Sequence, residues 1–161
     1  MKHIVGVADM CVSSTSGDVI VTYALGSCLG LTVHDPVAGV GGMLHVMLPL
    51  STIDADRARE NPCMFVDTGV PRLFLECYKA GAEKRRLRVK VAGGAWVHQG
   101  DESGDFFQIG KRNVLVLRKL LWRNGVLLEA EDVEGTCSRT MSLEIGSGQV
   151  LIRSEGQQRD L

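Results

Sequence analysis

The sequence predicts an α+β sandwich in which helices cover a sheet, and three observations predict it. Glycine-punctuated, β-branched stretches make up most of the chain. Only two segments carry a helical period, over 65–80 and 111–124. Both are inserted into a mostly β order, which calls for a layer of helices on a sheet. The 161 residues suit one domain with a substantial core, and we place it over 1–155 with a polar tail at 156–161.

The elements follow in order. Met1 to Ile4 leads straight into an apolar, strand-like segment. Val19, Ile20, Val21 and Thr22 are β-branched and read as a strand. Residues 29–34 read as a second strand, closed by the turn signal Asp35-Pro36. Residues 39–49 read as a third, with glycines where backbone approaches backbone. The polar stretch 51–62 reads as a loop. Over 65–80, Val66, Val70, Leu73, Phe74, Cys77 and Tyr78 fall on one helical face. Pro71 fits that helix if its hydrogen-bonded part starts near it, because an N1 proline lacks only a donor that is unpaired anyway. Gly81 is the stop.

Residues 87–92 alternate as a strand and run into Gly93-Gly94. Val114, Leu117, Leu120 and Leu121 give the second helix its buried face, and Gly125 ends it. Residues 126–131, 138–145 and 149–153 read as strands, the last two joined by a hairpin at Gly146-Ser147-Gly148. Residues 155–161 read as a frayed tail.

Composition narrows the function. Eighteen Lys+Arg against nineteen Asp+Glu give a net charge of -1. Without a basic excess a phosphate backbone has little to hold it, so nucleic acid is not expected. No apolar run is long enough to span a bilayer, and no leader pattern opens the chain. The expectation is a soluble cytoplasmic protein with no membrane insertion. Five cysteines, an odd and scattered set, argue against a disulfide scaffold and fit a reducing compartment. None stands in a zinc-ligand pattern, so no metal is expected.

One stretch, from Thr22 to Pro49, carries candidate chemistry. Cys28 lies between Gly26 and Gly30, just after a predicted strand. A cysteine attacks as its thiolate, so a nearby base must take the proton. Small neighbours let a substrate approach, and amides around Ser27 and Cys28 are candidates to hold an oxyanion. His45 sits in the alternating run Met43-Leu44-His45-Val46-Met47, facing away from Leu44 and Val46. Pairing of the second and third strands brings it toward Cys28. The Thr22 hydroxyl is placed to accept the second imidazole N–H and fix the tautomer, with Ser27 a rival for that supporting role. The residues alone leave open a second reading, in which Cys28 and His45 simply fill the core.

The stretch closely resembles the chemotaxis protein CheD family. The resemblance rests on Val21-Thr22, on Leu25-Gly26-Ser27-Cys28, on the run from His34-Asp35-Pro36 to Gly41-Gly42, and on His45-Val46-Met47-Leu48-Pro49. It continues at Lys90-Val91-Ala92-Gly93-Gly94-Ala95, at Ile109 to Val114 and at Ala130-Glu131-Asp132. It implies a chemoreceptor glutamine deamidase with Cys28 as nucleophile, His45 as base and Thr22 as its orienting partner. It also implies a three-layer α/β/β sandwich, methyl-accepting chemotaxis receptors as substrates, a CheC-type phosphatase as a further partner, and no cofactor. A glutamate methyl ester offers a similar carbonyl, so methylesterase chemistry comes within the same scheme. The competing readings are a non-catalytic or weakly catalytic adaptor that binds a CheC-type phosphatase or a receptor, and a general thiol acyl-transferase or peptidase.

Other residues carry two readings each. Gly93 and Gly94 either line a substrate groove or form a plain turn. Gly110 to Asn113 opens the second helix, as an anion-attracting terminus or a solvated start. The basic run 83–88 meets acidic receptor helices or is a solvated face. Trp96-Val97-His98 departs from the family pattern, and Trp96 lines a groove or packs. Cys11, Cys63, Cys77 and Cys137 are taken as structural.

Overall fold

The structure is a computed structural model that describes residues 1–96 and 104–161. Val97 and His98, singled out above, lie outside the described residues. In chain order the strands and helices are β1 (Lys2–Ile4), β2 (Asp9–Ser13), β3 (Val19–Leu25), β4 (Leu29–Asp35), β5 (Val40–Val46), α1 (Ala55–Glu60) and α2 (Val66–Lys79). They continue with β6 (Arg88–Gly93), α3 (Gly104–Arg123), β7 (Leu128–Val133), β8 (Arg139–Glu144), β9 (Val150–Ser154) and β10 (Gln157–Asp160).

The strands form two five-stranded sheets, ordered β2-β5-β4-β6-β7 and β1-β3-β8-β9-β10. Helices α2 and α3 cover the first sheet. Leu31, Val33, Leu44 and Val46 meet Val70, Leu73, Cys77, Val114 and Leu117 there in one buried cluster. A second cluster fills the space between the sheets, with Ile20, Leu25, Met43, Met141, Leu143 and Ile152. The layers are therefore α/β/β. Strand β4 is buried along its whole length because it is the middle layer's central strand. Burying both faces requires a thin spot. A Cβ on Gly41 would lie 2.7 Å from Ile145 Cδ1, and one on Gly30 2.8 Å from Leu25 Cδ1. The glycines expected to admit backbone thus admit side chains of the facing sheet.

The hairpin of β4 and β5 is pinned by Asp35. Its buried carboxylate accepts the N–H groups of Val37, Ala38 and Glu83 and pairs with Arg86. Burial alone would raise its pKa; these partners outweigh burial and hold it at about 2. The register runs from Leu29 opposite Val46 to Asp35 opposite Val40.

Several expectations need correction. The predicted loop over 51–62 holds two short 3-10 turns and α1, capped by Asp54, whose side chain accepts Arg57 N–H. No α1 residue is buried, so no apolar stripe betrayed it. Helix α2 begins at Val66, which puts Pro71 inside it rather than at its start. The burial of Val66, Gly69 and Val70 against the sheet outweighs one lost backbone bond. Residues 157–160 are not frayed: β10 pairs antiparallel with β9 through a Glu155-Gly156 turn whose φ angles are 52° and 74°. Both positive values suit a type I′ hairpin. Strand β2 escaped prediction for want of clean alternation. Among the described residues no helix is long and apolar enough to cross a membrane.

Candidate active site

The site begins with a bulge. Strand β3 pairs with β8, and the register slips between Thr22 and Leu25, with Ala24 at φ 56°. Residues three apart on a regular strand face opposite ways. Here the extra residue leaves Tyr23 and Ala24 exposed and buries both Thr22 and Leu25. Thr22 therefore points across the gap toward β5.

There it meets His45. The Thr22 hydroxyl donates to the Val5 carbonyl at 2.7 Å, and Thr22 Oγ1 lies 2.7 Å from His45 Nδ1. A hydroxyl has one proton. With that proton committed to Val5, Nδ1 must be the donor, so Nε2 carries the imidazole's free lone pair. Nε2 is buried and, among the described residues, has no hydrogen-bond partner. An unpaired buried acceptor ordinarily costs about 1–3 kcal/mol. Burial also holds the ring neutral, its pKa pushed down to about 4.

Cys28 reaches the same face from β4. Gly30 stands directly opposite His45, and Cys28 is two residues before Gly30. It is half-buried and packs against the inter-sheet cluster. No hydrogen bond joins its sulfur to His45. Burial pushes the thiol up, partly offset by the bond from its own amide. Thiol and imidazole thus both rest neutral and form no ion pair.

The loop before β4 is tied at every carbonyl. Gly26 O accepts Ala95 N–H at 2.8 Å, Cys28 O accepts Gly94 N–H at 2.9 Å, and Ser27 O accepts Asn113 Nδ2 at 3.0 Å. Among the described residues nothing else engages the Ser27 amide or hydroxyl. Ser27 does not touch the imidazole, so the orienting contact is Thr22's alone. Gly93, at φ 112°, has no room for a side chain: a Cβ there would overlap the Cys28 carbonyl oxygen. Gly93 and Gly94 are the seat of the Cys28 backbone. Gly94 also borders an open depression of about 310 Å³ with Trp96, Lys111, Glu134, Gly135 and Thr136. A groove of about 330 Å³ between α2 and α3, lined by Val70, Phe74, Tyr78 and Leu120, contains none of Thr22, Cys28 or His45.

Helix α3 starts at Gly104, so 110–113 lies in its interior and offers no helix terminus to an anion. Sequence reasoning missed what Asn113 does. Its signal was visible: 113, 117 and 121 share one helical stripe, and an Asn on a buried stripe needs partners. The arginines of the basic run are ion-paired, Arg85 and Arg86 with Glu83 and Arg88 with Glu129. Cys63 and Cys77 are buried, and burial pushes the Cys77 thiol up to about 12. Cys11 packs between the sheets, and the Cys137 thiol donates to Glu155 at 2.9 Å.

Comparison with known proteins gives a family. Residues 47–154 match the family model described as CheD, chemotactic sensory transduction. A "Probable chemoreceptor glutamine deamidase CheD" of Solibacter usitatus is 53% identical over 158 residues, covering 98% of this chain and 92% of that protein. "Probable chemoreceptor glutamine deamidase CheD 1" of Syntrophus aciditrophicus is 48% identical over 153 residues, covering 95% and 94%. A namesake from Pyrococcus abyssi is 42% identical over 149 residues, covering 92% and 89%.

Proposed function

The chain belongs to the CheD family, and from that membership we propose that it deamidates glutamine side chains of methyl-accepting chemoreceptors, with Cys28 as nucleophile. The observation that carries the residue assignment is His45: its Nδ1 is committed to Thr22, and its buried Nε2 has no partner among the described residues. A lone pair kept free at such cost is what a general base requires.

The chemistry follows. Nε2 takes the Cys28 proton as sulfur attacks the side-chain carboxamide carbon. Because thiol and imidazole both rest neutral, transfer and attack are coupled. Amides of Ser27 and Cys28 hold the oxyanion; one such donor is worth roughly 2.7–4 kcal/mol in a transition state. The imidazolium then protonates the departing nitrogen, and ammonia leaves a thioester. Water, deprotonated by His45, attacks the thioester carbon and releases glutamate and the thiol. The product is a methylatable carboxylate on the receptor. A methyl ester can follow the same path, giving methanol in place of ammonia. We place the reaction in the cytoplasm and, on the resemblance alone, propose a CheC-type phosphatase as a further partner.

The test is incubation with purified receptor cytoplasmic domains, read by peptide mass spectrometry. Site-specific Gln-to-Glu conversion is the expected result. Tight receptor or phosphatase binding with no conversion would make the protein an adaptor, and hydrolysis of unrelated peptides would make it a general thiol hydrolase.

Two further outcomes follow from Thr22 and His45. Thr22→Val removes the acceptor that fixes the tautomer and is expected to lower kcat about tenfold with little change in KM, the mark of a positioning contact. The pH profile reports the base directly. His45 must be neutral to act, so kcat/KM should stay flat from roughly pH 7 down to 5 and fall as pH drops through about 4. An acid limb near 6.5 would refute the buried base. The same group links stability to pH. Its folded pKa is below its unfolded value of 6.5, so its contribution is full above 6.5 and lost as pH falls from 6.5 through about 4. The loss amounts to about 3 kcal/mol, readable by urea unfolding across that window.

A further inference from the structure

We propose that Asn113 is a positioning residue that sets the distance between the Cys28 loop and the His45 strand. The inference rests on the proposed roles of Cys28 and His45. Asn113 is completely buried on α3. Its Nδ2 donates to Ser27 O and to Met47 O, each at 3.0 Å. Both partners are carbonyls, which accept only, so the amide orientation is fixed by chemistry. Ser27 is the residue before the nucleophile, and Met47 is two residues after the base. One nitrogen thus ties together the ends of two segments, β4's entry and β5's exit, where no ladder bond joins them.

The helix is itself fixed against the same loop. A Cβ on Gly110 would lie 2.7 Å from Gly94 O and 2.8 Å from Ala95 O. Gly94 and Ala95 in turn donate to Cys28 O and Gly26 O. Helix α3 therefore braces the loop twice within one turn, through the 94–95 segment and through Asn113 directly. Asn113 Oδ1 is buried with no partner among the described residues. A residue whose acceptor goes unsatisfied inside the core is there for its donor, since a pair of apolar side chains would serve stability better.

Cutting the tie has an effect that simple destabilisation lacks. In Asn113→Ala the loop relaxes outward, so Cys28 becomes less buried and its thiol pKa falls toward the ordinary value. Deamidation and thiol reactivity then move in opposite directions. The experiment measures both in the full chain, well below its thermal midpoint, with Cys28 alkylation by iodoacetamide followed peptide by peptide at pH 8. The expected result is a kcat drop on the order of 100-fold, as for an ångström of misplacement, with KM within about twofold. Alkylation of Cys28 is expected to rise at least about threefold. Both rates unchanged within about twofold would overturn the proposal. So would a parallel fall of both. If Asn113→Ala does not fold, Asn113→Ser decides by the same rates, because a serine hydroxyl bonds within its own helix and cannot reach Ser27 or Met47. Faster alkylation in the variant, with no deamidation by the unaltered protein, would keep the brace and reject the proposed activity.

Discussion

Cys28→Ala is expected to leave every receptor glutamine unconverted, a kcat loss on the order of 10⁴-fold or more, because removal of a nucleophile abolishes the covalent route rather than weakening it. The substitution deletes one half-buried sulfur and leaves the loop's three carbonyl ties untouched. Thermal stability should stay within a few degrees of the unaltered protein, as a small cavity implies. Receptor binding, followed by co-sedimentation, should persist. Cys28→Ser sharpens the test. A hydroxyl holds its proton far more tightly than a thiol and is the poorer nucleophile, and an amide, unlike a thioester, is too unreactive a target for it beside a weak buried base. The serine variant should therefore be as inactive as the alanine one. Conversion surviving in either variant would reject the mechanism.

Gly93→Ala is the second large effect, expected to cost about 100-fold or more in kcat although residue 93 is neither the proposed nucleophile nor the proposed base. Its new methyl would overlap the Cys28 carbonyl oxygen, and its φ of 112° is one that L residues rarely adopt. Either the Cys28 peptide moves or strand β6 separates from β4 at its last pair, Leu29 opposite Gly93. Both outcomes displace the nucleophile. Urea unfolding should show lower stability as well, and alkylation kinetics at Cys28 should differ from those of the unaltered protein. Full activity in a well-folded Gly93→Ala protein would show that the Cys28 carbonyl has freedom this packing denies it.

Much of this was legible in the sequence. Alternation around His45 and the Asp35-Pro36 turn foretold that β4 and β5 pair and which way His45 faces. Glycine spacing foretold the tight surroundings of Cys28. The helical faces of α2 and α3 emerged from their apolar residues. What escaped had no apolar pattern to announce it. Strand β10 is exposed throughout, and helix α1 buries nothing. The bulge at Ala24 puts a non-glycine residue at positive φ, which no local rule requires. Asn113 lies 86 residues from Ser27 and 66 from Met47, so its partners are set by topology alone. Ser27 was read for its amide and its hydroxyl, whereas the fold ties down its carbonyl.

The three ties on residues 26–28 have a consequence for how the protein comes to life. All of them are supplied by residues 94, 95 and 113. A ribosome that has made only the first ninety residues has produced the sulfur and the imidazole but none of the partners that seat the loop. Non-local contacts of this kind form late, since distant segments must first be brought together. The reactive geometry is thereby withheld from the nascent chain and conferred only when the second half of the polypeptide closes over the first.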